Sequence, residues 1–192
     1  MKKTILLIDG GFLRKQAHIA HRVYDPQFIE RYALACHTPD EDLLRILYYD
    51  CAAFVGTALL PVSNTPTTFQ GSDQWLHDVA ALDLFAVRRG TLRFRGYVRK
   101  RSHQVGTLTD GDFKPQFQQK GVDMRIGLDI AAYSAEHLVD RIILITNDTD
   151  CVPAMKFARI SGIQTVLVEV PNRTPHRDLV AHSDYRRLVA WL

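Results

Sequence analysis

The sequence predicts an α/β protein in which helices cover both faces of a mostly parallel β-sheet. Candidate strands and candidate helices alternate along the chain, which is typical of this class. Two of the strands, at residues 5–8 and 142–145, are continuously apolar, as parallel strands buried on both faces are. The chain has 192 residues, 46% of them hydrophobic, and shows neither a repeat nor an internal boundary. We therefore expect a single domain, residues 1–192.

The first quarter of the chain is predicted to contain two strands and two helices. In order, these are a strand at 4–8, a helix at 12–20, a helix at 27–36 and a strand at 43–49. The first strand runs into Asp9 and two glycines, which is typical of a buried strand followed by a tight turn. Pro26 suits the first turn of the second helix. The second strand ends at Asp50.

The middle of the chain is predicted to be less regular. In order, it has a surface loop at 56–73, a helix at 75–87, a strand at 92–98 and a polar, mobile segment at 100–119. The loop is rich in Gly, Thr, Ser, Asn and Pro, and the helix has apolar residues at helical spacing. In the strand, Leu92 and Phe94 alternate with Arg93 and Arg95, which indicates a half-exposed strand at an edge of the sheet.

The last third is predicted to alternate between helices and strands. In order, it has a helix at 121–135, a strand at 141–146, a helix at 151–160, a strand at 164–170 and a helix at 178–191. Val122, Ile126 and Ile130 form the apolar stripe of the first helix. Gly162 follows the second helix as a stop signal. Right-handed connections between such units give a parallel sheet.

Aspartates follow three of the predicted strands. Asp9 follows the first strand, Asp50 the second, and Asp148 and Asp150 follow the strand at 141–146. Ligands of an open parallel sheet bind beyond the carboxyl ends of its strands. If these strands are neighbours, their carboxylates meet at one edge of the sheet.

Asp123 reaches the same edge by a different route. The helix at 121–135 leads into the strand at 141–146 and runs antiparallel to it, so its N-terminus lies at the carboxyl edge. Asp129 follows in the same helix, roughly 9 Å deeper. We therefore expect Asp123 to be a ligand, and Asp129 either to support the site or to pair with Arg125.

Clustered carboxylates have a specific chemical use. They repel one another, which raises their pKa values unless a cation neutralises them. Sites made only of oxygen ligands suit Mg²⁺ or Mn²⁺. Such ions orient a water molecule, help to deprotonate it and stabilise the charge that develops on a phosphodiester. The pattern therefore points to phosphodiester hydrolysis.

Each aspartate taken alone also suits an ordinary structural role. Asp9, before two glycines, suits a turn, and Asp50 suits a strand end. Asp123 and Asp150 each suit the N-cap of the helix that follows. Only their joint placement at one edge favours a metal site.

Five motifs, which together span most of the chain, match one known family. They are Ile8-Asp9-Gly10-Gly11-Phe12-Leu13, Tyr48-Tyr49-Asp50-Cys51, Gln119-Lys120-Gly121-Val122-Asp123 continuing to Leu128-Asp129, Leu144-Ile145-Thr146-Asn147-Asp148-Thr149-Asp150 with Pro153-Ala154, and His182-Ser183-Asp184. The chain resembles the NYN domain, in particular its LabA-like bacterial branch within the PIN-like nuclease superfamily. The segment 56–90 is the least diagnostic part of this resemblance.

The resemblance implies a three-layer α/β/α sandwich of the PIN-like, Rossmann-like kind. It also implies cleavage of RNA, single-stranded in our interpretation, with Mg²⁺ or Mn²⁺ as cofactor. Carried over by position, it identifies the catalytic residues and metal ligands as Asp9, Asp123, Asp148 and Asp150. The auxiliary residues are Asp129, Asp50 and Asn147. Asn147 and Cys151 stand where the family often has Gly and an aromatic residue, and neither replaces an acid.

Other functions stay open from the sequence. An RNA-binding or regulatory module that keeps the fold without turnover would carry the same residues. A phosphatase or phosphoacceptor domain would usually have Asp-x-Asp after its first strand, but Gly11 stands two residues after Asp9. A dinucleotide-binding enzyme would need G-x-G-x-x-G there, which this chain lacks.

Cationic residues are concentrated between positions 88 and 101, in and around the strand at 92–98. They are Arg88, Arg89, Arg93, Arg95, Arg99, Lys100 and Arg101. With Phe94 and Tyr97 among them, this run either binds phosphates while a ring stacks a base, or keeps an edge strand from aggregating. We predict nucleic-acid contacts for Lys120, Arg125, Arg99, Lys100 and Arg101. The preference for RNA over DNA comes from the resemblance alone.

Composition predicts a cytoplasmic protein that does not enter the membrane. The formal net charge of +3 permits nucleic-acid binding without requiring it. No run approaches about 18 apolar residues, and the run near Met1 is too short for a secretory signal. The three cysteines lack C-x-x-C spacing, which fits a reducing cytosol. Whether the chain forms a homo-oligomer stays open.

Overall fold

A seven-stranded, mostly parallel sheet forms the middle layer of the protein in a computed structural model, which describes residues 1–100 and 107–192. The strands of the chain are β1 (Lys2–Asp9), β2 (Glu41–Cys51), β3 (Gly56–Leu59), β4 (Pro66–Phe69), β5 (Phe85–Arg99), β6 (Phe113–Lys120), β7 (Arg141–Ile145), β8 (Gln164–Glu169) and β9 (Tyr185–Leu188). The order in the main sheet is β6-β5-β2-β1-β7-β8-β9, and every neighbouring pair is parallel except β5 and β6. Strands β3 and β4 pair with each other in a separate antiparallel hairpin.

Helices cover both faces of this sheet. They are α1 (Gly10–Ile19), α2 (Pro26–Ala35), α3 (Gln74–Ala80), α4 (Val122–Ala135), α5 (Val152–Ile160) and α6 (Arg177–Ala181). Buried residues of α1, α2 and α3 share one core with Leu6 and Ile8 of β1. Those of α4, α5 and α6 share the opposite core with Ile5 and Leu7. The predicted three-layer α/β/α fold is therefore confirmed. In the described ranges, no helix combines the length and the apolar character that crossing a membrane requires.

Strand β1 lies between β2 and β7, as the placement of the aspartates requires. Ile8 pairs with Tyr48 on one side and with Ile145 on the other, so the three strands end at the same level. The segments that follow β1 and β7 are consequently neighbours at the carboxyl edge of the sheet.

Beyond this edge, β5 continues into an antiparallel hairpin with β6. Gly90 still pairs with β2, whereas residues 91–99 pair with β6. The β3–β4 hairpin packs against it through four rings whose centroids lie 5.6–6.0 Å apart. These rings belong to Phe54, Phe69, Phe94 and Phe117. We call residues 91–99, β6 and the β3–β4 hairpin the arm.

One prediction for the middle of the chain was wrong, and another holds in part. The helix predicted at 75–87 ends at Ala80, because Leu84 has a left-handed φ of 67° and residues 85–87 pair with β2 as the start of β5. The strand predicted at 92–98 is half-exposed as expected, but it is the continuation of β5 and pairs with β6 alone, beyond the end of β2.

The sequence also missed four short strands. The predicted loop at 56–73 contains β3 and β4, the predicted mobile segment at 100–119 contains most of β6, and the predicted helix at 178–191 is replaced by α6 and β9. Residues 101–106 of that segment lie outside the described residues. These strands have few apolar residues and are held by pairing with another strand, so local patterning does not identify them.

Candidate metal centre

Three carboxylates converge at the carboxyl edge, where β7 ends and α4 begins. One carboxylate oxygen from each of Asp123, Asp148 and Asp150 lies within 4.8 Å of one from each of the others. We call these residues the acidic trio. Asp123 and Asp148 are half-buried, whereas Asp150 is exposed.

The turn after β7 places two members of the acidic trio. Asp148 accepts a hydrogen bond at Oδ1 from the backbone N–H of Asp150, at 2.9 Å, and caps a short 3-10 turn over Thr149–Cys151. Its own backbone N–H donates to the Thr146 hydroxyl, at 3.1 Å. Asp150 was weighed from the sequence as an N-cap of the next helix, but the N-cap of α5 is Cys151, and Asp148 caps the 3-10 turn before it.

A left-handed glycine places the third member. Gly121 has a φ of 76° and lies between the end of β6 and the start of α4. This conformation turns the chain sharply without the steric cost that a side chain would add. Asp123 follows as the second residue of α4, so it is not the N-cap.

Asp9 lies beside the acidic trio, and only 9% of its surface is exposed. Its Oδ1 accepts a hydrogen bond from the backbone N–H of Phe12 at 2.9 Å, so Asp9 caps α1. Its Oδ2 accepts one from the Thr146 hydroxyl at 3.3 Å. Asp9, Asp123 and Asp148 border one cleft of about 590 Å³, which we call the acidic cleft. The fold therefore places the predicted carboxylates near one another, and Asp123, Asp148 and Asp150 form the tightest group.

The electrostatics of the site are those of carboxylates that lack a counter-charge. Burial raises the pKa of Asp9 to about 6, and the charges of Asp123 and Asp148 add to this effect. Burial also raises the pKa of Asp123, with Asp148 and Asp150 contributing through repulsion. Both shifts disfavour the ionised forms, and a divalent cation between the carboxylates would reverse them. The donor set, which consists of carboxylate oxygens, fits Mg²⁺ or Mn²⁺.

Asp50 is a structural residue rather than a member of this group. It is fully buried and forms a two-pronged ion pair with Arg14, whose nitrogens lie 2.6 and 3.2 Å from its oxygens. It also accepts hydrogen bonds from the Tyr48 hydroxyl at 3.1 Å and from Gln119 Nε2 at 3.0 Å. Gln119 borders the acidic cleft, so this hydrogen bond links Asp50 to the cleft wall, and its auxiliary role stays a prediction.

Asp129 is also occupied by structural contacts. It accepts a hydrogen bond from the Tyr49 hydroxyl at 2.7 Å and pairs with Arg88 Nε at 3.0 Å. Arg125, the partner considered from the sequence, instead donates to the backbone carbonyl of Gly121 at 2.8 Å. Asp129 therefore joins α4 to β2 and β5, which helps to hold the helix that carries Asp123.

The rim of the acidic cleft carries residues that sequence reasoning missed. Asn147 borders the cleft as expected, and its Oδ1 accepts the backbone N–H of His176 at 2.9 Å. Lys15, Arg173 and His176 border it as well. A signal for them existed, because α1 follows Asp9 at the end of β1 and residues 170–176 follow the end of β8, so both segments start at the same edge.

The predicted nucleic-acid contacts lie at different distances from the acidic trio. Lys120 borders a second groove together with Asp123 and Asp150. Arg99 and Lys100 lie at the far end of the arm, about 26 Å along the strand from the level of Lys120. Lys100 Nζ donates there to the Gly111 carbonyl at 2.7 Å. Arg101 lies outside the described residues.

Comparisons with known proteins support the fold and leave the function open. No protein-family model matches the chain, and no curated protein sequence matches it. The crystal structure of a protein of unknown function from Vibrio parahaemolyticus is similar, with a TM-score of 0.58 and 16% sequence identity. The match covers 97% of this chain and 92% of that one. At this identity the similarity extends to the fold alone.

Proposed function

We propose that this protein is a divalent-cation-dependent nuclease that hydrolyses phosphodiester bonds of single-stranded RNA. The observation that carries the proposal is the convergence of Asp123, Asp148 and Asp150 within 4.8 Å, with Asp9 on the same cleft. Repelling carboxylates held this close favour a site that binds cations.

The residues of the acidic cleft suit such a reaction. Mg²⁺ or Mn²⁺, when bound, would supply an activated water and stabilise charge on the scissile phosphate. The acidic trio and Asp9 would hold the cation, and Thr146 and the Phe12 amide keep Asp9 oriented toward the cleft. Lys15 and Arg173 on the rim would bind the phosphates that adjoin the scissile one.

The choice of RNA and of the cytoplasm has a separate basis. RNA rather than DNA follows from the resemblance to the NYN domain. A cytoplasmic location fits the three cysteines, all of which are free thiols in the fold.

The proposal is tested with purified protein and labelled single-stranded RNA, in Mn²⁺ and in chelator. Cleavage is expected in Mn²⁺ only. Asp9→Asn and Asp148→Asn are each expected to reduce the cleavage rate by at least about a hundredfold, because each removes a charge from the cation site. The amide oxygen that remains can still accept the backbone N–H of Phe12 or of Asp150. Asp42→Asn is the matched control, since Asp42 is exposed at the opposite edge of the sheet.

Two outcomes would contradict the nuclease. The first is cleavage that persists in chelator or in both site variants, which would indicate a contaminant. The second is tight RNA binding by the unmodified protein with no cleavage in Mg²⁺ or Mn²⁺, which would favour the non-catalytic RNA-binding or regulatory module.

A further inference from the structure

Three cations share the outer face of the arm, the face turned away from its aromatic rings. Arg93 pairs across the hairpin with Gln118, and the next outward position of β6 is Lys120. Arg95 Nε donates to Gln118 Oε1 at 2.7 Å, so Arg95 lies on this face too. Because side chains alternate along a strand, Phe94 and Phe117 point the opposite way, into the ring cluster. We call Arg93, Arg95 and Lys120 the basic face.

The cations of the basic face differ in their ion pairing from Arg88 and Arg89, which lie in the first part of β5. Arg88 is paired with Asp129 and Arg89 with Asp73. Across residues 1–100 and 107–192, the three cations of the basic face have no ion pair, and they are exposed. A set of unneutralised cations on a fixed backbone favours a ligand with regularly spaced negative charges.

A groove connects the basic face to the acidic trio. It begins at Gln118 and Lys120, runs between the end of β6 and helices α4 and α5, and reaches Asp123 and Asp150. Met124 and Leu128 form an apolar side wall, and they are 71% and 63% exposed. Exposed apolar side chains in a groove are typical of a ligand-binding surface.

The combination of charges and apolar wall identifies the ligand class. A single strand of nucleic acid offers phosphates to cations and exposed bases to apolar side chains, whereas a duplex keeps its bases stacked inside. The ring cluster behind the basic face fixes the hairpin, so the backbone that carries the cations needs little ordering when a ligand binds. Phe94, which the sequence suggested as a base-stacking ring, is used in that cluster.

We propose that the basic face is a docking surface for single-stranded nucleic acid, which it leads along the groove to the acidic trio. This inference rests on the proposed function for what happens at the trio, but the docking itself requires no cleavage. Docking can therefore be measured in chelator, where no cleavage is expected.

The test is fluorescence anisotropy of a labelled oligouridylate of about 16 nucleotides, a length typical of single-strand sites, with the whole protein in chelator. The variant is the double substitution Arg93→Gln and Arg95→Gln. Its dissociation constant is expected to rise at least about tenfold, and the slope of log K against log salt to fall by about 1.4, since two phosphate contacts are lost. The control is Arg22→Gln with Arg31→Gln, which removes two exposed cations that belong neither to the arm nor to the groove.

The outcomes distinguish docking from catalysis. An unchanged affinity and an unchanged salt slope in the Arg93 and Arg95 variant, or tighter binding of a duplex of the same length, would overturn the docking surface even if the protein cleaves RNA. An equal loss of affinity in the control variant would also overturn it, because the effect would then reflect net charge. Weakened binding in the basic-face variant alone supports it, whether or not cleavage is found. Equal thermal unfolding of both variants shows that the arm is folded.

Discussion

At the scale of single residues, the electrostatic role of Asp9 in the acidic cleft can be tested without substrate. It is buried and accepts hydrogen bonds from Phe12 and Thr146, and in the described ranges it has no ion pair. The folded protein therefore disfavours the ionised form of Asp9, and a bound cation would favour that form instead.

Asp9→Asn is expected to stabilise the cation-free protein at pH 7.5. The folded pKa of Asp9 is raised from 3.8 to about 6, so its protonated form stabilises the fold below pH 4 and this contribution is lost as the pH rises to 6. Asp9→Asn has no carboxyl group to ionise at this position. Its free energy of unfolding at pH 7.5 should therefore exceed that of the unmodified protein, by at most about 3 kcal/mol. Urea unfolding in chelator at pH 7.5 and pH 4 measures the difference, which should shrink at the lower pH. A variant that is less stable at pH 7.5 would contradict this account of Asp9.

At the scale of secondary-structure elements, the start of α4 is what brings Asp123 to the acidic trio. Gly121 makes the left-handed turn from β6 into this helix. A Cβ there would lie 2.6 Å from the Arg125 guanidinium, in a backbone region that side chains rarely adopt.

Gly121→Ala is expected to weaken Mn²⁺ binding by at least about tenfold, although it removes no carboxylate. The substitution strains the turn by about 1 to 2 kcal/mol, and relief of the strain shifts Asp123. Gly162→Ala is the matched control, since Gly162 has a φ of 80°, open space for a Cβ, and a place at the far end of α5. Calorimetric Mn²⁺ titration should separate the two variants, while urea unfolding should show similar destabilisation. Equal Mn²⁺ affinities would contradict the role given to the turn.

Elements with a strong local pattern were predictable, and elements that depend on distant partners were not. The apolar runs of β1 and β7 and the stripe of α4 predicted those elements, and their order predicted that Asp9, Asp123 and Asp148 share an edge. Strand β6 has only two phenylalanines as apolar side chains and exists because β5 pairs with it. Lys15 and Arg173 reach the acidic cleft through loop and helix geometry that periodicity does not encode.

At the scale of the whole molecule, one buried network joins the arm to the core. Asp50 of β2 binds Arg14 of α1, and it also accepts a hydrogen bond from Gln119 at the base of β6. The site and the arm are thus held by the same carboxylate. A buried charge of this kind is tolerated only while its partners remain.

Arg14→Gln is expected to destabilise the protein by about 2 to 3 kcal/mol, less than a fully enclosed pair would lose because Arg14 is partly exposed. The loss arises because the Asp50 carboxylate stays buried without its cation. The control is Arg45→Gln, at an exposed position of β2, the strand that also carries Asp50. It should change the free energy of unfolding little. Chemical unfolding monitored by tryptophan fluorescence gives both values. Equal stabilities of the two variants would contradict this role of Asp50.

Anomalous diffraction from crystals of the unmodified protein soaked in Mn²⁺ tests directly whether the acidic trio binds a cation. We expect a strong anomalous peak between Asp123, Asp148 and Asp150, with carboxylate oxygens at direct coordination distance. The peak should be absent from crystals of Asp148→Asn treated in the same way. An ordered acidic trio with no peak, or a peak only at another site, would contradict this expectation.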